Sequence, residues 1–188
     1  MLDTNNGLIQ SFSEQGTVAG IRFVNGVSFS GALTNNGTLT GAQNGLYFGN
    51  ATPAGGGDFT GAVVNNSGII SSGSRALNID GLGLVVNNLV GGQIIGTGNQ
   101  RNGTVYADST AQDFTLNNEG VIDAGEGNQG AGFSAELSEE GNNFDIINSG
   151  TIQGRGTAGA GSALAGDGIR FERARVDGML DGTTSGLF

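Results

Sequence analysis

The chain has 188 residues, of which 38 are Gly and one is Pro; 36% are apolar, His, Cys and Trp are absent, and the net charge is −10. Lacking His and Cys, it has neither the commonest general base nor a thiol nucleophile, and it loses disulfides and nearly all zinc or iron ligation. The acidic balance argues against nucleic acid and against an anionic membrane surface as partners, and no apolar run approaches the length of a membrane span.

Gly-rich chains are often disordered, but here the apolar fraction is near that of a folded domain and the glycines recur at fixed offsets from Val, Ile, Leu and Phe. Glycine supplies positive-φ turns between short strands, and no window shows a sustained helical period. The expectation is one all-β domain over residues 1–188. In chain order, Met1-Leu2-Asp3-Thr4-Asn5-Asn6-Gly7 lacks the basic and apolar regions of a leader. The first strand-like piece is Gly20-Ile21-Arg22-Phe23. Leu33 then leads to Asn35 and Gly37, followed by Gly37-Thr38-Leu39-Thr40-Gly41 and Gly45-Leu46-Tyr47-Phe48.

The same succession then returns. Val64 leads to Asn66 and Gly68, with Ile69-Ile70 and Ala76-Leu77-Asn78-Ile79 after them. Leu84 and Val86 lead to Asn88, then Gly92-Gln93-Ile94-Ile95-Gly96 and Gly103-Thr104-Val105-Tyr106. Phe114 and Leu116 lead to Asn118 and Gly120-Val121-Ile122; Phe144 and Ile146 lead to Asn148, Gly150-Thr151-Ile152-Gln153-Gly154 and Gly168-Ile169-Arg170-Phe171. Gly178-Met179-Leu180-Asp181-Gly182 starts one more round.

Successive asparagines of this phrase stand 31, 22, 30 and 30 residues apart, the length of a structural repeat. Three short strands per repeat, each with apolar residues two apart, describe a right-handed parallel β-helix of about six coils of 22–31 residues. Coils about 4.8 Å apart would make a rod on the order of 30 Å long. Leu39, Ile70, Ile122, Ile152 and Leu180 form one expected interior column, and Val64, Val86, Leu116 and Ile146 another. Because each coil covers its neighbour's apolar face, none is stable alone.

Asn35, Asn66, Asn88, Asn118 and Asn148 are the expected rungs of an internal ladder. Their amides both donate and accept, and Asn tolerates left-handed backbone. The coil from Asn66 to Asn88 is nearly bare. The others carry extra residues, as in Gly154 to Gly168, Ala51 to Gly57 and Ser138 to Asn143, and loops projecting after Gly41, Gly96, Gly125 and Gly154 are where binding is expected.

From Asn102 through Gly154 there are nine carboxylates (Asp108, Asp113, Glu119, Asp123, Glu126, Glu136, Glu139, Glu140 and Asp145) and no Arg. Such loops suit calcium, which takes six to eight oxygen ligands, but the stretch has neither an EF-hand nor the nonapeptide of calcium β-rolls. A solvated acidic surface is the simpler reading, with no cofactor required. Two carboxylates at the right separation also hydrolyse glycosides, and Asp123 and Glu136 are candidates for that role. A polyuronate substrate would need a basic groove. The one basic cluster, Arg170, Arg173 and Arg175, alternates with Asp167, Glu172 and Asp177 as a salt-bridged face would.

The runs Leu33-Thr-Asn-Asn-Gly-Thr-Leu-Thr-Gly41, Val64-Asn-Asn-Ser-Gly-Ile-Ile70 and Ile147-Asn-Ser-Gly-Thr-Ile-Gln-Gly154, the first and last followed by a Gly-apolar-x-Phe step and the second by Ala76-Leu77-Asn78-Ile79, resemble passenger regions of bacterial autotransporters and related secreted adhesins. The resemblance covers nearly the whole chain and implies export to a Gram-negative outer surface or secretion. No carboxy-terminal run of alternating membrane strands is recognisable, so the chain reads as an excerpt of a longer passenger. The expected function is that of a non-enzymatic scaffold for adhesion or self-association. Its expected partners are host or bacterial surface glycans or proteins, with no nucleic acid and no membrane insertion. The alternative is a polysaccharide-binding or polysaccharide-cleaving β-helix.

Overall fold

The structure, a computed structural model, describes residues 4–12, 18–24, 27–49, 57–97, 103–125, 130–137, 142–155 and 166–173. Three parallel sheets of six strands each run the length of the molecule, and the chain visits them in turn, once per coil. Sheet one holds Thr4–Asn5, Gly31–Asn35, Ala62–Asn66, Val85–Asn88, Phe114–Asn118 and Phe144–Asn148. Sheet two holds Leu8–Gln10, Thr38–Gly41, Ile69–Ser72, Gln93–Gly96, Val121–Asp123 and Thr151–Gln153. Sheet three holds Ala19–Phe23, Asn44–Phe48, Arg75–Ile79, Val105–Ala107, Phe133–Leu137 and Ile169–Arg173. This is a parallel β-helix with about six coils. A fourth, minor pair, Gly57–Asp58 with Gly81–Leu82, lines the corner between sheets three and one.

Alternation along each strand fills the interior with columns. In sheet two Leu39, Ile70, Ile94, Ile122 and Ile152 stand in register, and in sheet one Leu33, Val64, Val86, Leu116 and Ile146 do. Leu180, expected in the first column, lies outside the described residues. Sheet three adds Leu46, Leu77, Val105 and Phe133, buried behind one another. Where that sheet turns toward sheet one the interior is aromatic: Phe23 stacks on Phe48 at 4.9 Å between ring centroids, and Phe59 meets Phe48 edge-on at 5.1 Å. In later coils Phe114 and Phe133 lie parallel with ring centroids 6.2 Å apart, in the same core as Ala107 and Ala135.

The asparagine ladder runs through the corner between sheets one and two. Nδ2 of each rung donates to Oδ1 of the next: Asn35 to Asn66 at 2.7 Å, Asn66 to Asn88 at 2.8 Å, Asn88 to Asn118 at 2.7 Å and Asn118 to Asn148 at 2.7 Å. Asn5 extends it by one rung, donating to Asn35 at 2.8 Å. In every rung from Asn5 to Asn118 the amide also reaches a backbone carbonyl in the coil above, such as Ile69 O for Asn35 and Thr151 O for Asn118, both at 3.1 Å. Because every rung but the last is buried, these amides have to be satisfied internally.

Two turn assignments are corrected by this geometry. Among the described residues no rung asparagine has positive φ; the one non-Gly residue that does is Asp113. Nor do Gly37, Gly68, Gly92, Gly120 and Gly150, which end the phrase, have positive φ. These glycines are required by close approach. A Cβ at Gly120 would press into the Gly92 carbonyl oxygen of the coil below, and one at Gly68 into Gly37 O. In the same corner the rung carbonyl accepts two N–H groups from the next coil, as Asn35 O does from Ser67 and Gly68.

Candidate functional site

Sheet three carries its chemistry on the outside. Arg22, Tyr47, Asn78, Tyr106, Ser134 and Arg170 occupy one register position in successive coils, the residue between the two inward-facing ones. The expected alignment of Gly103-Thr104-Val105-Tyr106 on Gly45-Leu46-Tyr47-Phe48 is off by one. Val105 pairs with Leu77 and Tyr106 with Asn78, so Tyr106 points out and Ala107 in. The loop before this strand differs in length from its neighbours, and that hides the register.

Just beyond the strand ends a second file begins. Asp80 follows Ile79, and Asp108 follows Ala107, its in-register partner one coil on; Glu136 takes the same place after Ala135 and pairs with Glu172. Four acidic residues thus share a register position in successive coils, spaced by about 4.8 Å per coil. Asp80 is only 8% exposed and accepts a 2.8 Å hydrogen bond from the Tyr47 hydroxyl at Oδ2. Burial, and next the charge of neighbouring Asp108, push its carboxyl up to about 7 despite the Tyr47 bond and Arg75, which act in the opposite direction. Asp80 therefore keeps its proton until near neutrality. The Tyr47 phenol is raised by burial and by its bond to Asp80, and the Tyr106 phenol by burial and by its hydrogen bond with Glu136.

Guanidinium groups lie over both rings: Arg22 is 5.4 Å from the centroid of Tyr47, and Arg75 is 4.2 Å from that of Tyr106. Of these residues Tyr47, Arg75, Asn78, Asp80, Tyr106 and Asp108 line a groove of about 570 Å³, together with Ala42, Gln43, Asn44, Gly73 and Ser74. No lining side chain is aliphatic beyond Ala42, so the groove suits a polar ligand.

The carboxylates singled out from the acidic stretch are mostly dispersed. Asp123 stands at the end of a sheet-two strand, with its oxygens at 2.6 and 2.7 Å from Nε and an NH2 nitrogen of Arg155 and at 2.9 Å from Gly125 N. Arg155 beside it holds the carboxyl below its ordinary range. Glu136 lies on a different sheet, so the two suggested partners for glycoside hydrolysis do not form one pair. Asp113 accepts from Asn143, Asp108 caps Thr110, and Glu119 and Asp145 are exposed. Glu126, Glu139, Glu140, Arg175 and Asp177 lie outside the described residues, as do nearly all of the extra loop residues. Among the described residues no three acidic side chains are placed to hold a metal ion. After Gly41 only Ala42 and Gln43 intervene before the next strand, so no loop projects there.

Two outer ladders were not singled out in the sequence. Asn117 donates to Asn87 and Asn87 to Asn65, each at 2.8 Å; at the corner Ser67 donates to Asn36 and Asn36 to Asn6. The doubled asparagines Asn65-Asn66, Asn87-Asn88 and Asn117-Asn118 are the signal of the first, one residue of each facing inward and one outward, and Asn5-Asn6 and Asn35-Asn36 that of the second.

The fold and surface define a class, a parallel β-helix scaffold with a polar groove on one face. No family model, curated protein or solved structure matches the chain. Among the described residues no helix is long and apolar enough to cross a membrane.

Proposed function

We propose that the chain is a non-enzymatic scaffold segment of a cell-surface or secreted protein, of the autotransporter-passenger type, whose task is adhesion or self-association. The observation that carries this reading is the continuous column itself. Every described coil is committed to stacking through the inner ladder from Asn5 to Asn148, which leaves a long, regular exterior for contact. Among the described residues the strands at the two ends of each sheet have one unpaired edge, and such edges add strands from another copy. The test is to display the chain on a non-adherent bacterium and measure attachment to glycan- and protein-coated surfaces, alongside sedimentation of the purified chain. A displayed chain that neither attaches nor aggregates, with a strictly monomeric purified form, would refute the reading.

A second reading, polysaccharide binding or cleavage, is favoured by the groove over sheet three. Cleavage predicts release of reducing ends or unsaturated products from a polysaccharide panel, abolished by Asp80→Asn or Asp108→Asn. Product release that survives both substitutions counts against this groove as the catalytic centre.

A further inference from the structure

We infer that the groove over sheet three binds a neutral oligosaccharide lying along the rod axis, with its hydroxyl groups held by Asp80, Asp108, Asn78 and Arg75. The inference deepens the adhesive reading above by naming a ligand class, and it rests on that reading. Four observations support it. The groove, at about 570 Å³, has the capacity of a ligand site, and its lining is almost wholly polar, which disfavours an apolar guest.

Its charge is close to balanced. Arg75 contributes one positive charge and Asp108 one negative, and Asp80 keeps its proton up to about pH 7. An anionic chain would meet carboxyl groups, and a cationic one would meet Arg75 over the Tyr106 ring. A neutral ligand incurs neither penalty.

The hydrogen-bonding capacity fits hydroxyls. Nε of Arg75 is a buried polar atom with no partner among the described residues, the proton-bearing carboxyl of Asp80 shares a hydrogen bond with the neighbouring Asp108, and all three residues line the groove. Among the described residues the Asn78 side chain has one contact, a long 3.5 Å hydrogen bond from Arg75, which leaves its amide capacity largely unused. A sugar hydroxyl both donates and accepts, so one ligand can satisfy an acid, a guanidinium and an amide together. Finally, the spacing repeats. Tyr47, Asn78 and Tyr106 in one file, and Asp80 and Asp108 in the next, recur once per coil at about 4.8 Å, close to the length of one hexose unit in an extended chain.

The probes are cellohexaose, maltohexaose and mannohexaose, with oligogalacturonate and chitosan oligomers as charged comparators, titrated calorimetrically into the 188-residue chain. At least one neutral hexasaccharide is expected to bind with a Kd below about 1 mM. Asn78→Ala and Arg75→Gln are each expected to weaken it about tenfold or more, with melting temperature unchanged. If both variants melt early, ligand-induced NMR shifts in the wild-type chain decide, and these must centre on Asn44, Asn78 and Asp80. Absence of binding by every neutral probe overturns the inference, as do tighter binding of a charged oligomer, unchanged affinity in folded variants, or shifts centred elsewhere. A chain that adheres or self-associates while ignoring all sugars overturns this inference and leaves the adhesive reading standing. One that binds a neutral sugar yet neither adheres nor self-associates upholds the site and removes the reading.

Discussion

Asn118→Leu is the most direct test of what holds the coils together. Asn118 is 1% exposed, and its side chain joins three coils. Its Oδ1 accepts from Asn88 at 2.7 Å, and its Nδ2 donates to Asn148 Oδ1 at 2.7 Å and to Thr151 O at 3.1 Å. Leucine has nearly the same branched outline but removes all three bonds and the longer 3.4 Å approach to Gly120 O. Asn88 keeps only its longer approaches to Gly92 O at 3.4 Å and Val121 O at 3.3 Å, while Asn148, being exposed, can turn to solvent. An unsatisfied buried group costs about 1–3 kcal/mol, and the Asn88 amide is the one left buried, since Thr151 is exposed, so the loss is about 2 kcal/mol. With a urea dependence of about 2 kcal/mol per molar, the unfolding midpoint falls by about 1 M. Asn117→Leu is the matched control, since Asn117 is half-buried on the outside and donates a single 2.8 Å bond to Asn87. Its cost is expected to stay below about 1 kcal/mol. Equal midpoints for the two variants would remove the inner ladder as a source of stability, whatever the absolute values.

Three further outcomes follow from the same geometry. Because the Asp80 carboxyl is raised to about 7, its contribution is complete below about pH 4 and is lost as pH rises through 7; a displacement of about 3 pH units corresponds to about 4 kcal/mol. Calorimetric melting from pH 4 to 8 should show Asp80→Asn gaining on the wild-type chain as pH rises, and parallel curves would contradict the assignment. Gly120→Ala places a methyl against Gly92 O and the Asn88 amide and should cost about 2–3 kcal/mol in chemical denaturation. An unchanged midpoint there would mean that the coils separate more easily than their hydrogen bonds imply. Asp123→Asn breaks the pair with Arg155, whose side chain is 38% exposed, so the expected loss is below about 1 kcal/mol and fades in high salt. A loss of several kcal/mol, insensitive to salt, would show that pair to be more than a surface contact.

The interior was legible in the sequence because it repeats. Leu39, Ile70, Ile122 and Ile152 each follow a Gly-x step, and Asn35, Asn66, Asn88, Asn118 and Asn148 each precede one, so stacking turns a linear period into a column. The glycine's physical role was not legible. A pattern of Asn, then Gly, reads equally as a left-handed turn or as a place where two backbones nearly touch, and only the neighbouring coil decides. The groove was hidden for a related reason. Asp80 and Asp108 occupy no repeated phrase, and they meet because Ile79 pairs with Ala107 across a loop of irregular length. Reading Val105 against Tyr47 turns Tyr106 inward and dissolves the outer file. With Val105 continuing the Leu46 and Leu77 column, Thr104-Val105-Tyr106-Ala107 stands against Ala76-Leu77-Asn78-Ile79, and the aromatic and acidic files lie together on the outside. What a solenoid sequence encodes least well is therefore its outer surface, since selection for stacking fixes the inward residues coil by coil while the outward ones need only agree with whatever they bind.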